Sequence, residues 1–241
     1  MRVLALALLV PLQAFAQSPP PDDYTLLGVG VRSRPAYDGS ASQTADLIPV
    51  VRYYGKPLFA RTTQGILEGG ARAEVAPGLA LGAQIAYEAG RKKSESGFLR
   101  ERNVPDIAPG ASVGVHAEWD TKLGPAPLDV LGRVRQNVDS DRGAQADLRL
   151  TVGVYGSDGV QAGVFGQATW ASSKAMRTYY DVSGSGLLFV SLGVLGSCDL
   201  ARQWVLVGSL EGRRLQGDAA SSPLAERKSN YYASAGLAYR F

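Results

Sequence analysis

The feature that most constrains this chain is a period-2 alternation in which one face of each segment is apolar and the other carries charge. The apolar positions of the first segments are Thr25, Leu27, Val29 and Val31; Leu47, Val51 and Tyr53; Leu58 and Ala60; Leu67, Gly69, Ala71, Ala73 and Val75; and Leu79, Leu81, Ala83, Ile85 and Tyr87. They continue as Ala111, Val113, Val115, Ala117 and Trp119; Leu128, Val130 and Val134; Leu148, Leu150, Val152 and Val154; and Val160, Ala162, Val164, Ala168 and Trp170. Leu188, Val190, Leu192 and Val194, then Trp204, Leu206 and Leu210, lead to Ala233, Ala235, Leu237, Tyr239 and Phe241. The opposite faces hold Arg32, Arg52, Glu68, Arg72, Glu74, Glu88, His116, Glu118, Arg133, Arg135, Asp147, Arg149, Glu211 and Arg213. A soluble barrel would have to bury one face as packed core, and it cannot bury this many charges cheaply. With lipid outside and the charges inside, the pattern is satisfied. The expected fold is an all-β, transmembrane, antiparallel up-and-down barrel of about 12 strands spanning 24–241.

The connections test this independently. Alternate links are short (55–57, 76–78, 121–126, 156–158 and 199–201), and the links between them are mostly long (34–45, 89–108, 138–143, 171–185 and 214–228). Short periplasmic turns and longer extracellular loops are the outer-membrane arrangement. The exception is Thr63–Gln64, a tight turn where an external loop belongs.

Residues 1–16 read as a secretory signal peptide, with Arg2 ahead of an apolar core and an Ala14-Phe15-Ala16 cleavage site. Residues 17–23 form a Pro-rich leader. No later stretch approaches the roughly 20 apolar residues that a membrane helix requires, so a spanning structure must be a closed barrel. Ser234, Gly236, Tyr239 and Phe241 resemble the C-terminal targeting pattern of outer-membrane barrels, which implies the barrel assembly machinery as a partner and pairing of the last strand with the first. The expected location is the bacterial outer membrane, in contact with its lipid and lipopolysaccharide.

Chemistry is sparse. The formal net charge of +3 is small and scattered, which argues against nucleic acid. The lone Cys198 rules out an intrachain disulfide. Gly28 and Gly30 lack the third glycine of a nucleotide loop, Ser183–Gly186 is no nucleophile elbow, and no metal-ligand spacing occurs, so neither metal nor cofactor is expected. His116 and Glu118 share a face and could serve as a general base pair, but no serine is placed beside them. The bland reading makes them part of a lumen ion network with Arg32, Glu68, Arg72, Glu88, Arg133, Arg135, Asp147, Arg149, Glu211 and Arg213. That network reads either as a plug of mutual ion pairs or as the lining of a narrow pore. Arg91, Lys92 and Lys93 open a charged loop, which reads as a solvated surface or as a contact for lipopolysaccharide phosphates.

Six short stretches add a resemblance: 28–39 (GVGVRSRPAYDG), 53–55, 87–91, 179–183 (YYDVS), 218–223 (DAASSP) and the terminal Ala-Tyr-Arg-Phe. Together they resemble the MipA/OmpV family of outer-membrane proteins, with Asp181 standing where the family pattern has glycine. The resemblance implies a barrel without a catalytic motif. It also implies a scaffold role between a murein lytic transglycosylase and a murein synthase. Other members imply alternatives: an adhesin, a small-solute pore, or a permeability and drug-response factor. A non-enzymatic scaffold for peptidoglycan synthesis and remodelling is the leading expectation.

Overall fold

The structure is a computed structural model that describes residues 25–241; the expected signal peptide and leader lie outside the described residues. Its strands are β1 Leu26–Pro35, β2 Gln43–Tyr54, β3 Leu58–Thr63, β4 Ile66–Ala76, β5 Leu79–Glu88 and β6 Gly110–Leu123. They continue with β7 Ala126–Asn137, β8 Ala144–Ser157, β9 Val160–Ala171, β10 Gly186–Asp199, β11 Trp204–Leu215 and β12 Ser229–Arg240. Each pairs antiparallel with its sequence neighbour, and β12 closes on β1 from Leu26↔Arg240 to Ser33↔Ala233, giving a closed barrel. Closure removes both sheet edges at that seam, which an open sheet in lipid could not tolerate. No helix among the described residues is long and apolar enough to cross a membrane.

The alternation decides which way each strand faces. Leu27, Val29, Val31, Val113, Val115, Leu148, Leu150, Leu206 and Leu237 all turn outward and are exposed. Aromatic side chains mark both rims. Trp204, Tyr239 and Phe241 stack edge-to-face at the periplasmic end, with centroids 5.4 and 4.9 Å apart, while Tyr87, Trp170 and Tyr231 lie exposed near the extracellular ends of their strands. Amphipathic rings favour that depth. Leu192, midway along β10 and 71% exposed, tests the assignment. Leu192→Arg is expected to destabilise the barrel by about 2–4 kcal/mol, as a charge at the bilayer midplane does. Unfolding in lipid vesicles measures the change.

One facing is corrected. Leu188 was expected among the lipid-facing residues of its strand, but the register shifts between Leu187 and Phe189, and Leu188 turns inward to 3% exposure. A bulge inserts one residue and so reverses the alternation locally.

The periplasmic turns are short, at 55–57, 77–78, 124–125, 158–159 and 200–203. The extracellular connections are 36–42, 89–109, 138–143, 172–185 and 216–228, with the tight exception at 64–65. Two carry α-helices, α1 (Gly97–Glu101) and α2 (Ser173–Tyr180). Ser172 caps α2 by accepting from the Ala175 amide, and Asp181 ends it in the left-handed conformation. A glycine is the usual residue at such an end, and aspartate is among the few others that adopt it.

Candidate functional site

Inward-facing side chains from β3 to β8 form one continuous charge network. Glu118 receives Arg72 at 3.1 Å and also pairs with Arg61. Arg61 reaches Glu68 at 2.6 Å, and Glu68 binds Arg133 at 2.8 Å. Arg133 continues to Asp147 at 2.7 Å, Asp147 to Arg135 at 3.3 Å, and Arg135 to Glu88 at 3.0 Å. Neutral donors complete the carboxylates: Gln84 donates to Glu68 at 2.9 Å, and the Thr169 hydroxyl donates to Asp147 at 2.7 Å. Glu68, only 1% exposed, is the hub. Pairs of this kind add little against an apolar filling of the same shape, but losing one partner strands the other charge.

A second cluster occupies the opposite wall. Arg213 pairs with Asp38 at 2.9 Å and Glu211 at 3.1 Å, and its guanidinium lies 4.1 Å from the Phe189 ring centre and 4.3 Å from that of Tyr232. The Tyr232 hydroxyl donates to Asp38. Gln64, at the tight 64–65 turn, reaches across to donate to Glu211 at 3.2 Å.

Three residues expected in the network are inside but outside the ion pairs among the described residues. Arg32 lies over the Tyr232 ring at 5.0 Å, Arg149 stacks on Phe165 at 3.9 Å, and His116 meets Phe59 edge-to-face at 5.2 Å. Both nitrogens of His116 lack a hydrogen-bond partner among the described residues, while Glu118 is held by two arginines. The two side chains therefore do not form a base pair. Sequence reading missed Arg61, although β3 places it directly opposite Glu68. Asp38 was missed because loop residues carry no period.

The extracellular loops fold over the mouth as a lid. Ala175, Met176 and Tyr180 of α2 pack with Leu188, Phe189, Leu215 and Ala219 into a buried apolar cluster. Ser222 donates to the Tyr180 carbonyl, Tyr37 donates to the Leu224 carbonyl at 2.9 Å, and Asn230 holds loop 36–42 from both sides, accepting from Gly39 and donating to Ser40. Burial pushes the Tyr180 phenol well above its usual value, so this hydroxyl stays neutral. Three of the stretches that carry the family resemblance, 28–39, 179–183 and 218–223, meet in this lid.

The basic triplet is divided. Arg91 is buried and donates to the Tyr179 carbonyl at 2.8 Å, so it is not part of an outward basic face. Lys92 is exposed, and Lys93 donates to Asn103 at 3.3 Å.

The chain is similar over 93% of its length to all of a solved COG4313 outer membrane channel from Pseudomonas putida F1, at 12% identity and a TM-score of 0.53. It is also similar to the translocator domain of the autotransporter NalP from Neisseria meningitidis, at 10% identity and a TM-score of 0.46 over 90% of this chain and 88% of that one. At 12% identity the likeness to the channel concerns the fold alone. No curated protein sequence matches. The family model described as MltA-interacting protein MipA matches residues 27–241, the whole barrel. The chain belongs to the MipA family of outer-membrane barrels.

Proposed function

We propose that this protein is a non-enzymatic adaptor of the outer membrane that holds murein-remodelling enzymes at its periplasmic side. The observation that carries the reading is the filled interior. Seven arginine and carboxylate side chains from β4–β8, joined through Arg61 of β3, run as one chain of ion pairs beneath a folded lid. A barrel built this way has little to do through its centre, and its surfaces remain for work. The family's own description, an MltA-interacting protein, supports a lytic transglycosylase as one partner, and the resemblance adds a murein synthase.

The test is co-purification of the tagged full chain from native envelopes in mild detergent. A lytic transglycosylase should be enriched over a control barrel of similar size. Recovery of an intact barrel with no murein enzyme would reject the adaptor. Planar bilayers separate the channel reading: steady conductance comparable to a porin would show that the interior opens, whereas a silent membrane is expected.

A further inference from the structure

We propose that the barrel wall has a lateral portal beside β2, in the extracellular half, that admits a long-chain carboxylate from the lipid phase. This goes beyond the adaptor reading and does not depend on it.

The portal arises from the shortness of β3. Its pairing with β2 runs only from Tyr54↔Phe59 to Arg52↔Arg61, although β2 continues to Gln43. Beyond that point the β3–β4 hairpin has already turned, at Gln64 and Gly65. Its tip leans into the lumen, where Gln64 donates to Glu211 of β11 and Gly65 lies against the Arg32 side chain of β1. Neither β1 nor β11 is a neighbour of β3 in the sheet.

The exposed edge of β2 is therefore unusual for a membrane protein. The Pro49 carbonyl accepts from the Thr62 hydroxyl at 2.8 Å, so residue 49 points its backbone toward the missing strand, and so do Ala45 and Leu47 by alternation. Proline has no amide to satisfy, as befits an edge position. Ala45 and Leu47 have no ladder partner on that side among the described residues. Backbone left unpaired at membrane depth is tolerated only where it lines a polar, hydrated space. The gap must then connect the lipid phase with the lumen. From above it is bridged by Arg34, which pairs with Asp46 of β2 and with Glu95 of loop 89–109 at 3.2 Å, so the opening faces sideways.

The two sides of the gap select the occupant. Leu47, 85% exposed, offers an apolar lip to a hydrocarbon tail. Behind the hairpin tip, Arg32 makes no ion pair with any described residue and can meet one negative head. One guanidinium matches the single charge of a carboxylate head, and the apolar lip suits its single chain.

The probe is cis-parinarate, a fluorescent long-chain carboxylate, titrated into the full-length protein folded in phosphatidylcholine vesicles. Saturable binding is expected, weakened about tenfold by Arg32→Gln and by Leu47→Trp, and about tenfold weaker for methyl parinarate with wild type. Val194→Trp, on the lipid face of β10, should leave binding unchanged and controls for an added indole. Heat-dependent mobility on gels establishes that each variant is folded. The proposal is overturned if folded Arg32→Gln or Leu47→Trp binds as wild type does, if the methyl ester binds equally, or if binding never saturates. Competition by phosphatidylglycerol as effective as that by oleate would overturn the single-chain assignment.

Discussion

Replacing Glu68 with alanine is expected to lower the stability of the barrel by about 3–5 kcal/mol, the usual result of removing one member of a buried ion-pair set. Glu68 accepts from Arg61 at 2.6 Å, Arg133 at 2.8 Å and Gln84 at 2.9 Å while almost wholly shielded from solvent. Its loss removes a shared carboxylate from two buried guanidiniums at once. Denaturant unfolding in vesicles, followed by tryptophan fluorescence, reads the change. Glu74→Ala is the contrast: among the described residues that carboxylate accepts only from the Gly78 amide at a periplasmic turn, and its loss should stay within about 0.5 kcal/mol, as for most surface changes. Equal midpoints for Glu68→Ala and wild type would show that the network contributes nothing to holding the wall.

Gly28→Ala is expected to weaken the closing seam, at the upper end of the roughly 1–3 kcal/mol that overpacking costs. A methyl group there would come within 2.1 Å of the Leu237 carbonyl oxygen and 2.5 Å of the Ala238 Cα. Both are backbone atoms of β12, so no side chain can swing aside, and the β1–β12 ladder must shift. The compact, heat-resistant gel species should be lost at a lower temperature than in wild type. Gly132→Ala, whose added methyl would meet nothing within 4 Å, should behave as wild type. Identical behaviour of the two variants would remove the seam argument.

The wall was legible in the sequence because each strand faces two different media. Leu27, Val29 and Val31 meet lipid while Arg32 turns inward, and this contrast survives without any knowledge of the neighbours. The tight turn at 64–65, which broke the pattern of long external loops, was legible too, though its inward lean was not. That lean depends on Glu211 and Arg32, far away in sequence. The bulge that inverts Leu188 is fixed by packing against α2, which period-2 reading cannot see. The lid was invisible for the same reason: Ser222 and Tyr180 meet through loops with no repeating pattern. The pairing within the lumen needed the register, which places Arg61 opposite Glu68 and lets Arg133 reach the same carboxylate across the barrel.

The span of those pairs along the chain bears on the order of assembly. Arg61 lies only 7 residues before Glu68, but Arg133 lies 65 residues after it, and Tyr232 reaches Asp38 across 194. An N-terminal set of hairpins inserted alone would carry Glu68 and Glu88 toward hydrocarbon without Arg133 and Arg135, their partners on β7. Such a half-sheet is penalised twice, by its open edges and by its unmatched ions. The chain is thereby biased to stay hydrated until β7 and β8 arrive, and to enter the membrane as a nearly complete ring.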